Sequence, residues 1–316
     1  MSDRPDKEGP ELQTPEKEPP APDEVQPPVA GEVDPQTAKR VGTAMLGGLA
    51  MVGRSVARGA LWLGRKSAQG YRAIDPDVRR HMAELPVLGL TMFSARDEDF
   101  VARADDGHPV LVFVHGLGGH RANFALMREA LKLFGRTRSY SVSLGDSQDL
   151  DEVGARLREQ IAVILEVNGL SDDPEVRVDL VAHSMGGVVS RVALEDPAFA
   201  RRVRTLLTLG TPHRGTHIAR FADTGRVRSL RPGSALFERL RAQSPWPGPP
   251  TMPRLVCVYS ESDVVILPAS TATLEGAESI CLEGVTHAGF LLLPRVFARV
   301  HDALLGRGAR DESEGV

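Results

Sequence analysis

The sequence predicts an α/β fold in which helices cover both faces of a doubly wound, mainly parallel β-sheet. Short apolar runs that suit buried strands alternate with segments of helical periodicity, and one run leads directly into a serine followed by small residues. The strands are predicted near 110–114, 139–143, 178–182, 203–209, 255–259 and 279–282, with a possible edge strand over Pro86–Phe93. The helices are predicted over Asn123–Phe134, Leu150–Val167, Gly186–Glu195 and Phe290–Leu305.

The most informative stretch is 178–187, in which an apolar run ends in the motif A-H-S-M-G. A serine on a sharp strand-to-helix turn has its hydroxyl exposed above the sheet edge, and only small neighbours allow the backbone to make this turn. The usual motif has glycine two residues before the serine, and the alanine found here, Ala182, is still small. Ser184 is therefore the predicted nucleophile.

A serine hydroxyl needs a base to take its proton and an anion to orient that base. After a turn of this kind the acid and then the histidine follow along the chain, each beyond a later strand. Asp263 follows the strand at 255–259 and His287 follows the strand at 279–282. We therefore predict Asp263 as the acid and His287 as the base.

Other residues compete for these two roles. Glu261 lies two residues from the predicted acid and remains an alternative to it. His213 and His217 follow the strand at 203–209 and remain alternative bases. His183, next to the serine, is expected to pack or to form a hydrogen bond and not to act on the hydroxyl.

Acyl transfer at a serine also needs hydrogen-bond donors for the oxyanion that forms. Met185 follows the nucleophile at the start of a helix, so its N–H is one predicted donor. The second is the N–H of Leu117, in the glycine-rich turn H-G-L-G-G that ends the strand at 110–114. This turn lacks the spacing of nucleotide-binding glycine loops, so we expect no nucleotide site.

These motifs together resemble the compact bacterial lipases and esterases of the α/β-hydrolase superfamily, over about residues 109–305. The resemblance rests on H-G-L-G-G at 115–119, V-D-L-V-A-H-S-M-G-G at 178–187, L-G-T-P-H-R-G-T at 209–216, the segment around Asp263, and G-V-T-H-A-G-F-L-L at 284–292. It implies the α/β-hydrolase fold and hydrolysis of carboxylic esters, typically acyl lipids. It also implies the oxyanion roles of Leu117 and Met185.

Some members of this family hold a structural calcium near the histidine loop. Here the stretch 264–285 contains only three acidic residues, Glu275, Glu278 and Glu283. We therefore predict no metal, and no cofactor. The two cysteines each precede a predicted catalytic residue by six positions, so we expect paired, buried free thiols at one level of adjacent strands and no disulfide.

The chain is predicted to divide into four parts. Residues 1–35 contain nine prolines, ten acidic and three basic residues and are expected to be disordered. Residues 36–74 carry seven lysines and arginines and no acidic residue, and form a predicted basic amphipathic helix. The hydrolase domain is predicted over 75–308, and residues 309–316 form a second disordered tail.

The basic helix has two interpretations. It could contact an anionic membrane surface through residues 40–66, or it could pack on the hydrolase body with its arginines in solvent. Its longest uncharged run, Val41–Gly53, is too short to span a bilayer. We expect no signal peptide, a cytoplasmic location that is peripheral to the membrane if the helix binds lipid, a monomer, and no nucleic-acid partner.

A long insertion at about 213–252 is predicted to lie over the site as a lid. It includes a capped short helix over Ser229–Arg241 and a rigid proline-rich loop. Side chains that could contact substrate are His115, Leu236, Phe237 and Trp246. A small satellite core is the alternative role for the apolar side chains of the insertion.

Three functions fit these residues. The first is hydrolysis of a carboxylic ester through an acyl-enzyme on Ser184. The second is acyl transfer to an alcohol by the same triad, which the sequence does not separate from the first. The third is a catalytically silent fold that docks on membranes, although retention of every motif disfavours it.

Overall fold

The computed structural model describes residues 75–93, 100–243, 246, 248 and 251–307. The predicted tails at 1–35 and 309–316 and the predicted basic helix at 36–74 lie outside these residues. Every pair of adjacent strands in the sheet is parallel, and the strand order is β2-β1-β3-β4-β5-β6. The strands are β1 Leu111–Val114, β2 Ser139–Ser141, β3 Val178–His183, β4 Val203–Leu209, β5 Arg254–Tyr259 and β6 Glu278–Cys281.

Helices connect these strands. The α-helices are α1 Pro76–Phe93, α2 Ala125–Leu133, α3 Leu150–Val167, α4 Met185–Ala193, α5 Pro197–Arg201, α6 Gly225–Ser229, α7 Ala235–Gln243 and α8 Pro294–Leu304. Short 3-10 helices cover Arg121–Phe124, His217–Phe221, Ala269–Ala272 and Gly289–Leu291. The predicted doubly wound parallel sheet is confirmed, with strand bounds within two residues of those expected.

Alternate residues of the strands contribute to two separate hydrophobic cores, one on each face of the sheet. On one face, Val112 and Leu180 pack with the buried sides of α3 and α4. On the other face, Phe113 and Val181 pack with α2 and α8. The strands are therefore buried on both sides, as expected for a parallel sheet that is covered twice.

The prediction of an edge strand over Pro86–Phe93 is wrong, since these residues form the second half of α1. The helix begins after Asp75, whose carboxylate accepts the N–H of Asp77 at 2.8 Å. Leu88 packs on the core beneath α2 and α8. An interior proline normally disfavours a helix, so tertiary contacts of α1 outweigh the local preference of Pro86.

The predicted pairing of the two cysteines is also wrong. In the register of β5 and β6, Cys257 lies opposite Ser279 and Cys281 lies opposite Tyr259. Both thiols are free, but only Cys257 is buried while Cys281 is exposed. Burial raises the pKa of the Cys257 thiol to about 11, so this thiol is protonated at neutral pH.

The insertion between β4 and β5 contains two short α-helices where one was predicted over Ser229–Arg241. Helix α6 ends at Ser229, and α7 begins at Ala235 after a turn that contains Pro232 and Gly233, the latter at φ +71°. Arg226 of α6 donates to the carbonyl of Gly145 at 2.7 Å, which ties the insertion to the loop that follows β2.

A buried ion cluster lies near the amino end of β3. Asp179 is 0% exposed and accepts from Arg136 Nη2 at 2.9 Å and from Arg204 Nε at 2.8 Å. Removal of the charge would leave Arg136, itself 1% exposed, buried without its anion. We expect Asp179→Asn to lower the free energy of unfolding by about 3–5 kcal/mol, measured by urea denaturation.

A matched control is Asp302→Asn, which removes an exposed ion pair to Arg307 at 3.7 Å. We expect this control to change the free energy of unfolding by less than about 1 kcal/mol. Equal effects of the two substitutions would contradict a structural role of the cluster.

Among the residues described, no helix is both long enough and apolar enough to cross a bilayer. The location of the protein and its oligomeric state stay predictions.

Candidate active site

Ser184 lies on a strained turn between β3 and α4. Its φ of +57° is the one positive value among the described residues other than glycine. Such a backbone is costly for a residue with a side chain and is characteristic of a nucleophile at a strand-to-helix turn. The Ser184 N–H donates to the carbonyl of Leu209 at 2.9 Å, and its carbonyl accepts from the Thr211 hydroxyl at 2.9 Å, so β4 and its loop hold the turn.

Glycines allow the neighbouring backbone to approach this turn closely. A Cβ atom at Gly116 would lie 2.8 Å from the Cβ atom of Ser184. A Cβ atom at Gly186 would lie 2.5 Å from the carbonyl oxygen of His115, at the end of β1. Glycine at position 116 therefore lets the glycine-rich turn approach the serine, and glycine at position 186 lets the start of α4 approach the end of β1.

Asp263 and His287 form a buried, hydrogen-bonded pair, with 2.8 Å between Oδ2 of the aspartate and Nδ1 of the histidine. The other carboxylate oxygen accepts the N–H groups of Val265 at 2.8 Å and Ile266 at 3.1 Å. These bonds stabilise the ionised carboxylate and fix its direction. An anion at Nδ1 keeps the ring proton on that nitrogen and leaves Nε2 free to accept a proton.

His183 forms a hydrogen bond with the backbone of the loop that carries His287. Its Nε2 donates to the carbonyl of His287 at 3.0 Å, and the two ring centroids are 4.5 Å apart. Burial and the proximity of His287 hold the pKa of His183 well below its usual value, so this ring is neutral. His183 thus makes the structural hydrogen bond that its position next to the serine predicted.

One link of the expected triad is open. Among the described residues, no hydrogen bond joins Ser184 Oγ to His287. Such bonds are often long in enzymes without substrate and shorten when substrate binds. The structure thus brings Asp263 and His287 into direct contact and leaves Ser184 without a hydrogen bond to His287.

The two predicted oxyanion donors belong to the two backbone segments that meet at the serine turn. Met185 is the first residue of α4, where a backbone N–H has no partner within the helix. Leu117 lies in the turn that Gly116 brings against Ser184. Neither N–H donates to another group in the part of the chain that the structure describes, so both remain available to an oxyanion.

His115 is buried and bonded to backbone on both sides of its ring. Its Nδ1 lies 2.9 Å from the carbonyl of Gly116, and its Nε2 accepts from the N–H of Leu144 at 3.3 Å. Burial lowers the pKa of His115 to about 4. These contacts hold the glycine-rich turn, while contact of His115 with substrate stays a prediction.

The alternative acid, Glu261, and the alternative bases, His213 and His217, do not contact Asp263 or His287 in any described hydrogen bond. His213 is fully buried, and its Nε2 is 3.0 Å from the hydroxyl of Thr208. Both His217 and Glu261 are exposed. The ring bonded to Asp263 is that of His287.

The predicted substrate contacts of the insertion belong to the packed interior. Phe237 is buried, and both Leu236 and Trp246 pack against the core on the α3 and α4 face. Leu236 also lines a cavity of about 610 Å³ between the insertion and the start of α3. A core role accounts for all three side chains, and their contact with substrate stays a prediction.

In the described part of the chain, no group of three or more histidine, cysteine or acidic side chains is arranged to hold a metal ion. The prediction that the protein needs neither metal nor cofactor remains open to direct measurement.

Sequence reasoning did not identify Gly210 as part of the site. This residue follows β4 at φ +53°, and a Cβ atom there would lie 2.8 Å from Asp263 Oδ2 and 3.2 Å from His287 Nδ1. The glycine of L-G-T-P was visible in the sequence, but its proximity to the acid and the base depends on the pairing of β4 with β5.

The buried histidines predict loss of stability in acid. Burial lowers the pKa of His81 and His115 to about 4, and holds the pKa of His213 well below its usual value. Below about pH 6.5 the unfolded chain binds protons that the folded protein does not. The folded state is therefore most stable above this pH, and stability falls as the pH drops toward 4.

For each of His81, His115 and His213, we expect the free energy of unfolding to fall by up to about 1.4 kcal/mol per pH unit as the pH is lowered. Urea denaturation between about pH 8 and 4.5 measures this fall. A free energy of unfolding that stays constant between about pH 7.5 and 5 would contradict this expectation.

Comparison with known proteins supports the same fold. A family model described as a PGAP1-like alpha/beta domain matches residues 130–228, which include the serine turn. The crystal structure of the mature lipase BlEst2 of Bacillus licheniformis is 20% identical, with a TM-score of 0.54 over 65% of this chain and 96% of that one. Its propeptide form is 21% identical, with a TM-score of 0.54 over 65% of this chain and 52% of that one.

At this level of identity the likeness concerns the fold. The described part of the chain has the α/β-hydrolase fold, and the predictions of this fold and of its resemblance to bacterial lipases and esterases are confirmed.

Proposed function

We propose that this α/β-hydrolase fold cleaves carboxylic esters through an acyl-enzyme on Ser184. The observation that carries the proposal is the buried pair of Asp263 and His287, at the same edge of the sheet as a serine on a strained turn. Met185 follows this serine and Leu117 follows Gly116, which lies against it, and neither N–H donates to another group among the described residues. Together they supply a nucleophile, a base with its orienting anion, and donors for a developing negative charge.

Acylation begins when Ser184 Oγ attacks the ester carbonyl while His287 Nε2 takes the hydroxyl proton. The carbonyl oxygen becomes an oxyanion that accepts hydrogen bonds from Leu117 and Met185. When the tetrahedral intermediate collapses, the carbon–oxygen bond to the alcohol breaks and the imidazolium returns its proton to the leaving oxygen. Asp263 stabilises the imidazolium throughout.

Deacylation repeats these steps with water. His287 takes a proton from the water, whose oxygen attacks the acyl carbon, and the same two N–H groups bind the oxyanion. Collapse releases the carboxylic acid and returns the proton to Ser184 Oγ. The net reaction consumes one ester and one water and yields one acid and one alcohol.

Acyl lipids are the proposed substrate class. The proposal is supported by the fold shared with a bacterial lipase and by the long insertion that follows β4 on the edge of the sheet where the serine lies. Long loops at the carboxyl ends of parallel strands commonly form the substrate pocket.

The experiment uses p-nitrophenyl esters of increasing acyl chain length together with a fluorophosphonate probe. We expect turnover of at least one ester and covalent labelling at Ser184, identified by peptide mass spectrometry. Dependence of kcat/KM on chain length would give the size of the acyl pocket. Absence of both turnover and labelling from the folded full-length protein would refute the proposal.

The proposed partner surface is an anionic membrane, contacted through residues 40–66. Support comes from the sequence alone, since residues 36–74 carry seven basic and no acidic side chains. We expect the full-length protein to sediment with vesicles that contain phosphatidylserine, and less so as salt is raised. Replacement of Arg54, Arg58 and Arg65 by glutamine should weaken sedimentation, while equal binding to neutral phosphatidylcholine vesicles would contradict an electrostatic contact.

A further inference from the structure

Helix α1 contacts the loop that carries His287. The carboxylate of Glu84 accepts a hydrogen bond from the hydroxyl of Thr286, the residue just before the proposed base. That hydroxyl in turn accepts the N–H of Gly289 at 3.0 Å. Glu84 is therefore joined through Thr286 to the backbone on the far side of His287.

His81 contacts the same loop one helical turn earlier on α1. It is 3% exposed, and its Nδ1 accepts from the N–H of Ala288 at 3.4 Å. The centroid of its ring is 6.4 Å from that of His287. Burial and the nearby His287 lower the pKa of His81 to about 4, so Nδ1 remains an acceptor at neutral pH.

Packing alone does not account for a histidine at position 81. Because Nδ1 accepts a hydrogen bond, the ring proton is on Nε2. Within the described residues, Nε2 is buried and has no hydrogen-bond partner. An unpaired buried donor costs about 1–3 kcal/mol, which an apolar side chain at this position would avoid.

We propose that His81 and Glu84 are positioning residues for the catalytic base. His81 bonds the backbone N–H of Ala288, and Glu84 bonds the side-chain hydroxyl of Thr286, on either side of His287, while His183 bonds the carbonyl of His287 itself. The imidazole is thereby held in the direction that bonds Asp263 at one nitrogen and leaves the other for the serine. This inference rests on the function proposed above.

The test measures ester hydrolysis and fluorophosphonate labelling of Ser184 in the full-length protein. We expect His81→Phe and Glu84→Ala each to lower kcat and the labelling rate by about 10- to 100-fold, because a small displacement of the base lowers the rate steeply. KM should change by less than about twofold, since neither side chain is proposed to bind substrate.

Conservative variants separate positioning from packing. The oxygen of His81→Asn can occupy the place of Nδ1, and Glu84→Gln retains an acceptor for the Thr286 hydroxyl, so both should recover most of the lost rate. Met82→Ala is the matched control, because Met82 is an exposed neighbour on the same helix. It should label and turn over at the wild-type rate.

Thermal unfolding of each variant gives a check on folding. Glu84 is half-buried, so Glu84→Ala should fold even if the larger change at the buried His81 does not. Two results would overturn this inference alone. One is a wild-type rate in folded His81→Phe and Glu84→Ala. The other is a lost rate that His81→Asn and Glu84→Gln fail to recover. Absence of both turnover and labelling from the wild-type protein would instead refute the proposed function.

Discussion

Replacement of Ser184 by alanine is expected to lower kcat for ester hydrolysis by on the order of 10⁵- to 10⁶-fold. The substitution removes the oxygen that would form the acyl-enzyme, while the base and the oxyanion donors remain. Steady-state kinetics and loss of fluorophosphonate labelling measure the effect.

Two features make this result interpretable. Ser184→Ala should keep the wild-type melting temperature within a few degrees, since the carbonyl and N–H that tie the turn to Thr211 and Leu209 are backbone groups. Non-additivity provides a second check, because Ser184→Ala combined with His287→Ala should be no slower than Ser184→Ala alone. Turnover by Ser184→Ala at the wild-type rate would end the proposal of a serine nucleophile.

Replacement of Asp263 by asparagine is expected to lower kcat by about 10⁴-fold. The asparagine amide fits the same space, but it can present an N–H to His287 Nδ1 and so favours the tautomer that has its proton on Nε2. That tautomer cannot accept the proton of Ser184, and the imidazolium loses its neighbouring anion. The pH dependence of kcat/KM and the rate of labelling at Ser184 both report this loss.

Glu261→Gln is the matched control for the acid. Glu261 is exposed two residues away, whereas Asp263 is buried and bonded to His287. We expect near wild-type turnover from Glu261→Gln. If Glu261→Gln were the slower variant, the alternative acid considered in the sequence would be correct.

The strands and the serine turn could be predicted because their signals are local. Strands buried on both faces appear as short apolar runs, such as Leu111–Val114. The turn at Ser184 needs small residues at fixed offsets, so Gly186, two residues after the serine, indicates the turn in the sequence. Asp263 and His287 followed from chain order, and the structure brings their side chains to 2.8 Å.

The relative level of β5 and β6 could not be predicted in this way. Equal offsets of six residues suggested that Cys257 and Cys281 lie side by side, yet the register pairs Cys257 with Ser279. Asp263 and His287 nevertheless lie in contact, because their positions depend on the loops that follow β5 and β6 and not on the register of the two strands. The Ser260 hydroxyl joins these loops by accepting the N–H of Val285 at 3.2 Å.

The sheet and the turn at Ser184 could be predicted because each depends on periodicity or on residues close in the chain, and Asp263 and His287 followed from their order along it. Three other features depend on contacts between distant segments: Pro86 lies within a helix, Gly210 leaves room for Asp263 and His287, and His81 and Glu84 contact the histidine loop. The contacts of His81 and Glu84 join residues about 200 positions apart. Their energy comes from burial and hydrogen bonding between distant segments, which no local pattern records.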